Sequence, residues 1–385
     1  MGAGKFSFGS KFVRWDKGTR RLPIAAKYGA IADTTVRVAL DTNPLYTTRA
    51  GVARYVRGLL EGLDTLTLRD DRVEPWAWPV ENFNYTQPLR MLKTAWRELA
   101  WAKWSGSLRL RQDRYDLLHS TALPLVEYPV CRHVVTLHDL GLLRHPQRYR
   151  RWQLRNGLRR LQQVTQADHV IAVSQFTADE AMALLEIPAK RITVVHHGVT
   201  LAKTEIVPVN LPTEFYLFVG SLEPGKNLAL LRQVWLEARQ NGNQLPPLVI
   251  VGARWAGVKT EGEAPANWIF LGHQADEVLL ALYRRAQALL FPSIYEGFGL
   301  PILEAMAAGC PVICGRVASL PEVGADAVLY AELTAENFAQ AMQLLRADDA
   351  LGAQLRVAGL CRSTDFSWTQ CARETVAVWR QTSGV

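Results

Sequence analysis

The sequence predicts an α/β protein of two doubly wound domains, each a parallel sheet covered by helices, facing each other across a cleft. Three observations predict it. The chain has 385 residues, too many for a typical single core and enough for two domains of ordinary size. Short β-branched runs alternate with helical patterns along its length. That alternation stops at a polar, proline-bearing stretch over 203–213 and then begins again. Hydrophobic residues at 49% and charged residues at 21% are globular values and exclude wholesale disorder.

The run Val-Arg-Val-Ala-Leu-Asp over 36–41 reads as the first strand, and Val52, Val56, Leu59, Leu60 and Leu63 put a helix over 52–64. Strands follow near 133–138, 168–173 and 191–195, with helices near 148–165 and 175–185. After the break come a strand over 215–220, a helix over 227–240, a strand over 248–252 and a helix over 275–287. A strand over 288–291, a helix over 300–308, a strand over 312–314 and helical segments complete the chain. The domains therefore read as 36–200 and 214–385, both Rossmann-like, with the last helix able to cross back to the first. Such sheets bind ligands at the carboxyl ends of their strands, which places the site in the cleft.

Residues 1–35 hold seven basic and two acidic residues without periodicity. They read as a disordered basic tail or as a tether to an anionic membrane surface. Five scattered cysteines, Cys131, Cys310, Cys314, Cys361 and Cys371, form no disulfide framework and fit a reducing cytoplasm. Cys310 and Cys314 read as small buried residues rather than metal ligands. No apolar run has membrane-spanning length, Lys27 interrupts the stretch nearest the start, and Phe6 spoils an acylation pattern. A cytoplasmic protein is expected, open to peripheral contact with the inner membrane face.

Charge is uneven. Residues 1–200 carry 30 Lys and Arg against 18 Asp and Glu, and residues 201–385 carry 14 against 18. A basic first half and an acidic second half suggest an anionic partner: nucleic acid, lipid headgroups or a phosphorylated substrate.

The segment over 291–312 carries the most chemistry. A buried strand ends at Phe291, and a loop containing Gly297 and Gly299 leads to Pro301, which suits a first helical turn. The glycines admit a ligand close to the backbone, and the helix N-terminus offers free N–H groups, together a phosphate cradle. Glu296 and Glu304 flank it. Carboxylates would repel a phosphate, so hydrogen bonds to sugar hydroxyls are their natural task.

Glu296 and Glu304, in the setting E-G-F-G-L-P-x-L-E-A-M-A-x-G-x-P-V, resemble the signature of retaining GT-B glycosyltransferases of family four. The segments at 219–227, 318–324, 51–55, 135–139, 173–176 and 195–199 match that family in order, so the resemblance covers about 36–380. Its flavour is the mannosyltransferase branch of O-antigen and exopolysaccharide assembly. The resemblance implies that Glu304 holds the ribose hydroxyls, while Glu296 and the backbone of Phe298, Gly299 and Leu300 meet the donor sugar and diphosphate. Lys226 would neutralise the departing diphosphate beside Gly220 and Ser221. Gly51 would bring first-domain backbone up to it, and His138 would lie beside the reacting carbon. Many relatives carry a basic residue near the places that hold Ser221 and Gly225 here. Lys226 then works alone or with Arg54, for which a structural role is equally open.

A nucleotide-diphosphate sugar would be the co-substrate, with no cofactor. The sequence has no D-x-D pair, so a metal-bridged diphosphate is not indicated. The resemblance implies front-face substitution, the leaving phosphate helping to deprotonate the acceptor. His196 and His197, at a strand end, read as structural or loop-bonding residues.

Two stretches could meet an acceptor. Residues 90–114 interleave Leu92, Trp96, Leu99, Trp101 and Trp104 with Arg90, Lys93, Arg97, Lys103, Arg109 and Arg111, and residues 144–160 hold seven arginines and no acid. They read as a lipid–water interface, which would make a lipid-linked saccharide the acceptor, or as a core-facing stripe with a basic back. Competing readings are another GT-B sugar-nucleotide activity, or a non-catalytic scaffold or nucleic-acid binder; Glu296, Glu304, Lys226 and His138 together argue against a degenerate scaffold, and no nucleic-acid partner is expected. A dehydrogenase is excluded, since no G-x-G-x-x-G follows the first strand.

Overall fold

The computed structural model describes residues 35–48, 51–68, 71–77, 92, 93, 96, 101, 102, 104–126, 129–254 and 262–385. The tail over 1–35 therefore lies outside the described residues save Thr35, as does most of the stretch over 90–104. Two six-stranded parallel sheets make up the described chain. The first holds β1 (Arg37–Asp41), β2 (Arg72–Trp76), β3 (Leu117–Ser120), β4 (Arg132–Leu137), β5 (His169–Ala172) and β6 (Ile192–Val194), ordered β2-β1-β3-β4-β5-β6. The second holds β7 (Tyr216–Val219), β8 (Leu248–Val251), β9 (Trp268–Gly272), β10 (Leu289–Phe291), β11 (Val312–Cys314) and β12 (Leu329–Tyr330). Its order, β9-β8-β7-β10-β11-β12, is the winding of a dinucleotide-binding sheet, with the crevice between β7 and β10.

Residue type explains the placement. All four residues of β7 and of β8 are buried and, the Tyr216 hydroxyl aside, apolar, as a parallel sheet covered on both faces requires. β2, β3, β9 and β12 were not anticipated. β2 contains Pro75, which a sheet tolerates because β2 lies at its edge. β3 is central yet half polar. His119 Nε2 bonds Thr136 Oγ1 at 2.8 Å and Ser120 Oγ bonds His133 Nε2 at 2.9 Å, so both side chains find partners on the neighbouring β4.

The helices that matter for the site are α1 (Gly51–Asp64), α2 (Arg151–Val164), α3 (Gln175–Leu185), α4 (Leu228–Gln240), α5 (Asp276–Arg285) and α6 (Leu300–Ala307). The chain ends in α7 (Ala335–Ala347), α8 (Asp349–Ser363) and α9 (Trp368–Ser383). α9 leaves the second sheet and joins the core of the first, where Trp368, Ala372, Val376 and Trp379 pack with Tyr55, Val56 and Leu59. Trp379 Nε1 donates to His119 Nδ1 at 3.2 Å, and Arg380 pairs with Asp71 at 2.7 Å.

The basic, aromatic stretch divides. Trp101 is buried against Trp76, ring centroids 4.6 Å apart, and Leu110 is buried beside it. Leu92, Trp96 and Trp104 are exposed. Of the arginines over 144–160, Arg144 bonds Glu180 from an exposed position, whereas Arg148 bonds Glu223 with its side chain largely buried. Cys310 and Cys314 are buried and unbridged.

Candidate active site

The carboxyl ends of β7 and β10 open onto a cleft of about 480 Å³. Across it stand the first turn of α1 and the loop after β4. The cleft brings together Gly51, His138, Gly220, Ser221, Lys226, Glu296, Phe298, Gly299, Leu300 and Glu304, together with Arg54. Gly51 sits against Leu300: a Cβ there would lie 3.6 Å from the Leu300 side chain.

The loop from β10 to α6 is held by its backbone. Ser174 Oγ and Thr177 Oγ1, from the start of α3, donate to the Gly297 carbonyl at 2.7 and 3.2 Å. Ser319 Oγ donates to the Glu296 carbonyl at 2.9 Å. A Cβ at Gly297 would overlap the His138 carbonyl, so only glycine lets the two loops touch. Gly299 caps α6 at φ 100°, a left-handed backbone that a side chain would strain. The Ile302 N–H returns to the Gly299 carbonyl at 3.1 Å and Pro301 has none, which leaves the Gly299 and Leu300 N–H groups at the cleft.

Charges are set around this loop. Lys226, on the turn after β7, reaches Glu296 in a close ion pair, its ammonium 5.6 Å from the Phe291 ring centroid. Glu304, buried in α6, accepts from Tyr283 Oη at 3.0 Å, and its other oxygen contacts Arg54. Arg54 also bonds Asp276 at 2.7 Å. Of the two roles left open for Arg54, the structure shows its pairing with the carboxylates of α5 and α6.

His138 Nε2 lies 2.8 Å from the Thr121 carbonyl. A carbonyl only accepts, so Nε2 carries the proton and Nδ1 of the neutral ring is an acceptor. Burial lowers the His138 pKa, against the opposing pull of Thr121 and Asp139. The adjacent histidines differ from each other. His196 Nε2 bonds Glu322 at 2.7 Å, and Glu322 also accepts from the backbone of Gln175 at 2.8 Å. Burial pulls the Glu322 pKa up, but these bonds outweigh it and hold it below the usual carboxylate value. His197 lines the cleft buried, and among the described residues neither ring nitrogen has a partner. Loop hydrogen bonding thus holds for His196 and fails for His197, whose ring is enclosed by Tyr55, Phe298 and Trp368. Burial holds its pKa well below the ordinary value, so it is neutral.

Sequence reasoning missed Asp139, His273 and Gln274, which also line the cleft. The last two follow β9, and the apolar run over 268–272 ending in Gly272 was the available signal. Among the described residues no group of three His, Cys, Asp or Glu is placed to hold a metal ion.

Residues 49–203 match the family described as Glycosyltransferase Family 4, and residues 214–348 the family Glycosyl transferases group 1. O-antigen chain mannosyltransferase B of Escherichia coli is 32% identical over 269 residues, which cover 65% of this chain and 70% of that protein. Serotype-specific mannosyltransferase WbdA of Escherichia coli is 26% identical over 66% of this chain but only 34% of its own greater length. Among solved structures, sucrose-phosphate synthase from Thermosynechococcus elongatus has a TM-score of 0.69 at 20% identity, over 90% of this chain and 98% of that one. Anabaena HepE in complex with UDP and glucose gives 0.61 at 16% identity, over 89% and 98%. The structures show the shared fold and the sequences show the kinship: the chain belongs to the group 1 glycosyltransferases of family four and has their GT-B architecture.

Proposed function

We propose that this glycosyltransferase is retaining and metal-independent, and moves a hexose from a nucleotide-diphosphate sugar to a saccharide or lipid-linked saccharide in cell-surface polysaccharide synthesis. The observation that carries the reading is the Lys226–Glu296 pair at the N-terminus of α6. Breaking the glycosidic bond builds positive charge on the anomeric carbon and negative charge on the diphosphate. Lys226 and the N–H groups of Gly299 and Leu300 supply fixed positive charge where the latter appears, as an anion hole does. When the diphosphate takes Lys226, Glu296 is released to accept from sugar hydroxyls. Glu304 receives the ribose diol, and His138 Nδ1 accepts from the sugar near the reacting carbon.

Mannose is the sugar that the names of the O-antigen mannosyltransferase relatives favour, and GDP-mannose is the donor that the family resemblance suggests. The UDP held by HepE makes uracil the competing base. Exposed Leu92, Trp96 and Trp104 in the basic half suit contact with an anionic membrane surface that presents a lipid-linked acceptor. No helix among the described residues is long and apolar enough to cross a membrane.

Thermal unfolding with GDP, UDP, dTDP and ADP tests the reading. One nucleotide should stabilise the chain, by about 2.7 kcal/mol at a hundredfold excess over its Kd, and Glu304→Ala should abolish the gain. NMR of the product from the matching donor should show the donor's anomeric configuration kept. No stabilisation by any nucleotide, with strong salt-sensitive DNA binding, would replace the transferase reading with a nucleic-acid one.

A further inference from the structure

Arg148, Glu223 and Gly225 make a further contact between the two halves, one residue from Lys226. Arg148 ends the single turn Pro146–Arg148, which follows the His138 loop. Its Nη2 donates to Glu223 Oε1 at 2.5 Å and its Nε to Oε2 at 3.2 Å, a two-pronged pair with side chains 11% and 3% exposed. The same Oε2 accepts the Gly225 N–H at 2.7 Å. The Gly225 carbonyl accepts from the Ile294 N–H at 3.0 Å, which ties the turn Pro224–Lys226 to the loop that carries Glu296. The guanidinium fills the space of the missing side chain, since a Cβ at Gly225 would overlap it.

A buried ion pair is weak evidence for stability, because desolvation offsets much of the attraction. This one has a geometric consequence instead. A lysine is a flexible stem with a point charge at its end, so the placing of its ammonium depends on how firmly its base is held. Here the base is held by an arginine from the other half of the molecule.

We propose that Arg148 is a positioning residue for the donor diphosphate: paired with Glu223 over Gly225, it fixes from the first half the turn that presents Lys226. The inference rests on the reading of Lys226 as the diphosphate's cation. It makes the placing of that cation depend on a contact from the other half of the molecule.

The experiment measures binding of GDP, GMP, UDP and UMP by calorimetry, and takes diphosphate-over-monophosphate preference as its readout. A merely structural residue would weaken both members of a pair alike. Arg148→Ala should cut the preference about tenfold. Gly225→Ala should do the same, since its Cβ displaces the guanidinium while its backbone stays in a region open to alanine. The double variant should lose no more than either single one, because both remove one contact. Arg148→Lys keeps Glu223 charge-paired and serves if Arg148→Ala does not fold; it should lose at least threefold. An unchanged preference in these variants, or single losses that multiply in the double, overturns the inference while wild-type binding preserves the reading of the site. A wild-type chain that binds neither diphosphate overturns both.

Discussion

Glu304 has both carboxylate oxygens engaged, one by Tyr283 and one by Arg54. A ribose diol that is to be held by this carboxylate must therefore displace a guanidinium. Charge-assisted hydrogen bonds contribute about 1.5–3 kcal/mol each, so the competition is large enough to read in affinity. Arg54→Met should bind the preferred nucleoside diphosphate as tightly as wild type or a few-fold more tightly, whereas Glu304→Ala should bind it at least tenfold more weakly. Titration calorimetry on the two variants decides it, and a tenfold loss in Arg54→Met would place Arg54 on the diphosphate with Lys226. At this scale the sequence revealed what local context carries. Lys226, Glu296 and Glu304 stand in ordered motifs, so their arrival in one cleft could be expected. The partners of Arg54 lie more than 220 positions away, and the isolation of His197 depends on Tyr55, Phe298 and Trp368 closing around it; neither has a local signature.

The loop between β10 and α6 works as an element because its backbone is fastened to the first half at Gly297. A methyl group there would have to move the His138 carbonyl, a backbone atom that cannot swing aside as a side chain can. Overpacking of this kind costs about 1–3 kcal/mol. Gly297→Ala should lower the urea midpoint by that amount and cut kcat more than tenfold, since Ser174, Thr177 and His138 all lose register with the loop. Gly242→Ala is the control: the site also has positive φ, at 77°, but nothing within 4 Å of the added methyl. It should cost stability through backbone strain and leave kcat near wild type. An equal effect of both on kcat would mean that the tight approach at Gly297 has no functional weight. Elements were legible where burial on both faces demanded unbroken apolar runs, as in β7 and β8. They were not where strands were short or interrupted: β12 has two residues, β2 carries a proline at the sheet edge, and β3 hides two polar residues that only its neighbours satisfy.

The fold as a whole buries neutral histidines, and this sets its response to acid. Burial pushes the His119 pKa down to about 3, that of His133 down to about 4, and that of His197 well below its ordinary value. Unfolded, each ring would take a proton near pH 6.5; folded, each refuses it until the pH is much lower. The unfolded chain thus binds more protons throughout the window below 6.5, so stability is full above that pH and falls as the pH drops. Three such groups give a slope of about 4 kcal/mol per pH unit near pH 5.5. His119 links this to the architecture, because its Nδ1 accepts the Trp379 N–H of the helix that crosses from the second half to the first. Protonating that nitrogen would turn the acceptor into a second donor and break the crossing contact. Urea unfolding followed by tryptophan fluorescence at pH 7.5, 6.5 and 5.5 should show the midpoint steady at first and then falling steeply. His119→Gln, which keeps a hydrogen-bonding side chain but has no proton to gain, should lessen the slope by one group's share, about 1 kcal/mol per pH unit. A midpoint independent of pH over this range would mean that the buried rings are not held neutral by the fold, and that the crossing helix is fastened by its apolar face alone.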